Sequence, residues 1–517
     1  MQLVSVASGT LAPMTAPLLD DSATARLRQG LIELGYTGDQ VLDRIGEEGQ
    51  LGLGRNVTVA ADLALVTGDA LDDAIRMWVL QRPVPSARLA RVLDLDALVA
   101  AGIVRLEADL VRALVDIRPY SSPDDGASGW LVSDLTPGLD HQPVRMRGDY
   151  VLGASPASTT LAQLTIRRPV GSALDLGTGC GIQSLHLSRH AEKVVSTDLN
   201  PRALQLAGLT AGLNEVTFDL RLGSLWEPVP ERFDLVVTNP PYVMSPPQTR
   251  RLVYREGGHI GDGLVRAVVQ GAADHLNPGG TLQVLGNWAI TADEPWQDRL
   301  ATWAPPGADL WVIERERLGV HEYIEMWLTD AGLHQTPRWE AAYREWLDYF
   351  AELGIVGVGM GWLQLTRSGR DDPERRFEEW PWAVQQPVGA ALARHQADLT
   401  TSRLPWQELA GRCFTIADHV VEESTGAPGA AGPEHIVLRQ GSGLRRAIDA
   451  GTALAAVLGA CDGDLPLGRI VDAVAGLLEA DPHALREELE PQLRAALRDG
   501  FLDHEPTGTD RSGSMHS

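Results

Sequence analysis

Between residues 143 and 367, short apolar runs of strand character alternate with amphipathic segments of helical period, and no other feature constrains the fold as strongly. Strands are expected at 173–176, 194–197, 217–220, 235–238, 281–285, 310–313 and 355–365. A chain that returns to the same edge of a sheet after each strand needs a crossover, and a helix is the usual one. The pattern therefore predicts an α/β fold with a doubly wound, mostly parallel sheet of seven strands. The helical stretch at 322–353 would be an insertion before the last strand.

Both flanks differ from this core. Residues 1–118 read as a mainly helical domain, with Leu27, Leu31 and Leu34, then Ile75, Val79 and Leu80, at spacings that put each set on one helical face. Within it, two short helices at 86–101 followed by a hairpin at 103–115 resemble a winged-helix unit. Without basic residues on the second helix, packing is favoured over nucleic-acid binding. Residues 119–142 are rich in Ser, Pro, Gly and Asp, and are expected to be a linker, as is the charged, Trp-containing stretch 368–382. Residues 383–505 read as a second mainly helical, winged-helix-like domain. Ile470, Val471, Val474, Leu477 and Leu478 mark one helix, and Leu485, Leu489, Leu493 and Leu497 mark another that stops at Gly500. The polar tail 506–517 is expected to be disordered.

A formal net charge of −25 argues against bulk electrostatic binding of nucleic acid, so any such contact must use a local basic patch. Arg250, Arg251 and Arg255 are the candidates, able to steer phosphates or an acidic protein surface, or simply to stay solvated. Lys193 is the only lysine, a compositional bias with no function assigned. Cys180, Cys413 and Cys461 are too far apart for metal-ligand spacing or a disulfide framework, so no metal is expected. With no basic leader and no membrane-length apolar run, a soluble cytoplasmic protein is expected.

The stretch 172–190, SALDLGTGCGIQSLHLSRH, reads as a strand, a turn holding Gly177, Gly179 and Gly181, and a helix from about Ile182. Glycines suit a turn whose backbone takes positive φ and approaches a ligand closely. Asp198 ends the next strand, where a carboxylate accepts from both ribose hydroxyls of an adenosine-containing cofactor. A dinucleotide fingerprint would need Gly or Ala where Ile182 stands, which disfavours NAD and FAD.

The stretch 233–247, FDLVVTNPPYVMSPP, delivers Asn239 from an apolar strand to the ligand-binding edge of such a sheet. Pro240 and Pro241 have no N–H, so this corner accepts hydrogen bonds and donates few. It suits an NH2 group on an sp2 carbon. The Asn239 oxygen and the Pro240 carbonyl would orient its lone pair, and Tyr242 would stack on the planar group.

Together these motifs resemble class I S-adenosylmethionine-dependent methyltransferases of the HemK type, over about residues 145–290. The specific matches are Asp175, at the acidic start of the first motif, with Gly177, Gly179, Gly181, Asp198 and 239–242; the segment 257–264 is similar to the glycine-rich stretch that follows in glutamine methyltransferases. The resemblance implies a Rossmann-like seven-stranded sheet, S-adenosyl-L-methionine as cofactor, and methyl transfer to a macromolecule's planar NH2 nitrogen. A protein glutamine amide is the leading acceptor, with an exocyclic amine of RNA or DNA, or a small molecule, as alternatives. It assigns cofactor contacts to Asp175, Gly177, Gly179, Gly181, Asp198, Ser224 and Asn239, and catalytic roles to Asn239, Pro240 and Tyr242. Ser224 stands where relatives often carry an acid near the adenine. The upstream segment with Thr159 and Thr160 reads first as an N-capped packing helix, and second as a cover that brings one of them near the methionine end.

Overall fold

The computed structural model describes residues 16–141, 147–247, 258–334, 336–428 and 433–504. They fall into two compact units, one of residues up to 162 with 169–381, the other of 163–168 with 382 onward.

The first unit is built on a sheet of β1 (Val170–Leu176), β2 (Ala191–Asp198), β3 (Asp219–Leu222), β4 (Phe233–Thr238), β5 (Leu276–Thr291), β6 (Asp309–Gly319), β7 (Ile355–Thr366) and β8 (Arg375–Glu379). Their spatial order is β8-β6-β7-β5-β4-β1-β2-β3. Neighbours from β3 to β5 run parallel. β7 is antiparallel to both β5 and β6. Helices α1 (Ile182–Leu187), α2 (Pro201–Leu213) and α3 (Gly263–His275) form crossovers, and α4 (Val320–Asp330) and α5 (Trp339–Glu352) fill the connection from β6 to β7. Strand order reverses beside β1, so the carboxyl ends of β1, β2 and β4 open the crevice where doubly wound sheets bind ligands.

The expected α/β sheet is present, with two corrections. The sheet has eight strands, because Arg375–Glu379, inside the stretch read as a linker, pairs in parallel with β6. Its polar side chains satisfy one another: the Arg376 guanidinium lies 5.0 Å over the Trp311 ring, and Trp311 Nε1 donates to Glu378 at 2.7 Å. An edge strand buried in this way shows little apolar alternation in sequence. The third strand is Asp219–Leu222 rather than 217–220.

The stretch 119–142 also departs from a linker. Asp116–Ser121 pairs with Ser128–Ser133, and the Ser, Pro and Gly residues mark the turn between them. This hairpin is bonded to α2: the Trp130 and Val132 N–H groups donate to Asn214 and Thr210, each at 3.0 Å. Gly129, at φ 141°, permits the approach, since a Cβ there would lie 1.6 Å from the Asn214 side-chain oxygen. N-terminal to it, the helices Asp21–Glu33 and Gly38–Leu53 precede a three-stranded sheet of Val84–Pro85, Leu110–Ala113 and Val104–Glu107 in the same unit.

The second unit packs the helices Gly389–Ser402, Thr452–Gly459, Leu467–Leu477 and Pro482–Arg498, with Ile470, Val471, Leu485, Leu489, Leu493 and Leu497 buried in its core. It also holds two three-stranded sheets, around Cys413–Ile416 and His435–Gln440. Leu477 and Leu478 lie outside that core, 82% and 44% exposed, because the helix ends there. Residues 506–517 lie outside the described residues. Among the described residues, no helix is long and apolar enough to cross a membrane.

Candidate active site

The turn after β1 is held by side chains from below. Gly177, Gly179 and Gly181 all have positive φ, between 55° and 84°. Asp175, 1% exposed, accepts from the Thr178 hydroxyl at 2.7 Å, the Ser184 hydroxyl at 2.7 Å and the Ser184 N–H at 3.0 Å. Burial pushes its carboxyl up to about 6, against the pull of those donors. Thr197 O accepts from the Gly177 and Thr178 N–H groups at 2.9 and 2.8 Å, tying the turn to β2. Asp198 accepts from the N–H groups of Gly179 at 2.9 Å and Asn200 at 2.8 Å, and burial raises its pKa. A carboxylate has about four lone-pair sites, so acceptor capacity remains for a ligand.

A cavity of about 290 Å³ opens over this turn. Of the expected site residues, Asp175, Gly177, Gly179, Asp198, Ser224, Asn239 and Pro240 line it. Gly181 does not. A Cβ there would come within 3.2 Å of Phe218 and 3.3 Å of Ala207, so the third glycine serves the packing of α1. Thr159 and Thr160 are not in the lining either; Ser155 and Ser158 are.

Gln183 is a further lining residue, beyond those expected from the motifs. Its Nε2 donates to Ser158 O at 2.7 Å, while its buried Oε1 has no hydrogen-bond partner among the described residues and belongs to a lining residue. The available signal was an amide in a helix otherwise buried on every side, Ile182–Leu187. His259, from the stretch after the acceptor motif, lines the cavity too.

At the acceptor edge, the Thr238 hydroxyl donates to Leu176 O at 2.6 Å, locking the ends of β4 and β1 together. Asn239 follows directly, and its buried Oδ1 has no hydrogen-bond partner among the described residues. A buried acceptor left unmatched costs free energy until a donor arrives. Pro240 and Pro241 continue the wall. Tyr242 corrects the stacking role expected of it: it packs edge-on against Trp327 at 6.4 Å and is absent from the lining. Arg250, Arg251, Arg255 and Gly257 lie outside the described residues. In the rest of the glycine-rich stretch, Asp262 accepts from Ala289 N–H at 2.8 Å and from Arg299 at 2.5 Å. Among the described residues, no group of three His, Cys, Asp or Glu is placed to hold a metal ion.

Residues 155–302 match the methyltransferase small domain family, and residues 33–114 match a domain of unknown function, DUF7059. The segment carrying the cavity is a class I S-adenosylmethionine-dependent methyltransferase domain of the HemK-like type. The chain is 37% identical over 147 residues to release factor glutamine methyltransferase of Cereibacter sphaeroides, covering 25% of this chain and 52% of that protein. The enzyme of that name in Geobacter sulfurreducens is 37% identical over 132 residues, 23% of this chain and 46% of its own. Ribosomal RNA small subunit methyltransferase C of Escherichia coli is 28% identical over 119 residues, 23% of this chain and 31% of its own. The chain thus spans about half the length of the glutamine methyltransferases it matches, or less.

Proposed function

We propose that the protein is an S-adenosylmethionine-dependent N-methyltransferase acting on a planar NH2 nitrogen of a macromolecule, with a protein glutamine amide as acceptor. The observation that carries this is the unmatched Asn239 Oδ1 beside two residues without N–H, an edge that accepts hydrogen bonds from an NH2 group. Two N–H···O bonds there would aim the nitrogen lone pair and stabilise positive charge developing on it. No strong base is needed, since the proton leaves after transfer.

The residues present fit the cofactor. Asp198 retains acceptor capacity for ribose hydroxyls, Gly177 and Gly179 let the backbone approach, and Gln183 Oε1 offers an acceptor to an ammonium group. Ser224 lines the adenine side without the acid that relatives often carry. S-adenosylmethionine, when bound, supplies an electrophilic methyl group.

The glutamine preference rests on the two relatives at 37% identity. A nucleobase amine is the second reading, favoured by the ribosomal RNA methyltransferase relative. The test is transfer of tritiated methyl groups from S-adenosylmethionine into a fractionated cell lysate, followed by protease or nuclease. Label released by protease alone is the expected result; release by nuclease alone overturns the glutamine assignment.

A further inference from the structure

The insertion between β6 and β7 reaches both segments that frame the acceptor edge. From α4, the Tyr323 hydroxyl accepts from the Met244 N–H at 3.0 Å, in the segment that leaves Asn239. From α5, the Tyr349 hydroxyl accepts from the Gly261 N–H at 2.9 Å, in the segment that carries His259 and Leu264 to the cavity. The two helices share one aromatic core, with Tyr323 5.7 Å from Phe350 and 6.3 Å from Trp346.

Three details separate this from ordinary packing. Tyr323 is fully buried, and its hydroxyl also lies 2.9 Å from Nδ2 of Asn287, itself fully buried on β5. The Met244 N–H therefore meets a polar group built into an apolar cluster. Trp327 of α4 holds the Tyr242 ring and also packs edge-on against Tyr323, 6.1 Å away, so one helix fixes the acceptor motif by its backbone and by its aromatic side chain. Burial raises the Tyr323 phenol well above its ordinary value, so it stays a neutral hydroxyl.

We propose that the α4–α5 insertion sets the acceptor pocket, and that Tyr323 and Tyr349 are positioning residues that hold the Asn239 and His259 segments in transfer geometry. The inference rests on the methyltransferase function proposed above. Neither tyrosine touches the reacting atoms; each acts through a backbone N–H. Misplacing a reacting group by about 1 Å costs on the order of 10²-fold in rate.

The test uses the full chain, tritiated S-adenosylmethionine and the lysate fraction labelled by the wild type. Tyr323→Phe is expected to lower kcat about 10- to 100-fold, and Tyr349→Phe less, with the Kd for S-adenosylmethionine within about twofold of wild type. Tyr343→Phe is the control: its hydroxyl, on α5, reaches His321 and Glu325 instead of either segment, and kcat should not change. Amide exchange at Met244 should rise in Tyr323→Phe and stay put in Tyr343→Phe. Wild-type kcat in Tyr323→Phe overturns the inference and leaves the methyltransferase function standing. An equal loss in Tyr343→Phe overturns it as well, by reducing the effect to general loosening of the helices. Absence of any transfer by the wild type removes the methyltransferase function, and this inference falls with it.

Discussion

The two halves of the cavity are finished to different degrees. On the cofactor side, Asp175 and Asp198 take five hydrogen bonds from the turn and its flanks, and the turn's own N–H groups are engaged. On the acceptor side, Asn239 stands with its side-chain oxygen unmatched. Each half keeps one buried oxygen unmatched among the described residues, Gln183 Oε1 and Asn239 Oδ1, but only the turn is braced by carboxylates from two strands. Such a division suits an enzyme that receives the same cofactor in every cycle but must hold an acceptor's NH2 only in the reacting pose.

The comparison breaks most visibly at Asn239. Asn239→Ala should lower turnover on the order of 10²- to 10³-fold while the calorimetric Kd for S-adenosylmethionine stays within about twofold. Loss of cofactor affinity in that variant would mean the two halves are not separate. Next in size, Asp198→Ala should weaken S-adenosylmethionine binding about 10- to 100-fold, as expected for hydrogen bonds to a charged group; unchanged affinity would remove Asp198 from the cofactor site.

The smallest effect is on stability. The folded Asp175 carboxyl, at about 6, sits above its ordinary unfolded value, so the folded state holds a proton there that the unfolded state releases. Its contribution is fully present below about pH 4 and is lost as pH rises through about 6. Measured against Asp175→Asn, the wild type should therefore lose a few degrees of Tm between those limits and change little above. A flat difference would show that the turn does not depend on that buried charge.

The cofactor turn was readable because positive φ leaves few choices but glycine, and because the pattern of β1 and β2 places an acid at each strand end. Asn239 was readable because a buried apolar strand points at the sheet edge. The direction of Tyr242 was not: two prolines fix the backbone before it, but its ring is placed by Trp327, which is distant in sequence. Strand β8 was hidden for a related reason, since Arg376 is buried through its pairing with the half-buried Glu378 rather than through apolar character. Tyr323 and Tyr349 sat in a stretch legible only as amphipathic helix, and what their hydroxyls meet depends on the fold as a whole.

β6 and β7 are antiparallel neighbours, which a short turn suffices to join, yet the chain spends two helices there. Lengthening such a connection costs only about 0.6 kcal/mol of closure entropy per doubling. The part of the molecule that reaches the acceptor edge is thus a connection the sheet itself does not require, unlike the turn that joins β1 to α1. On this plan, changing what meets the acceptor edge calls for changes in one excursion of the chain and leaves the turn after β1 untouched.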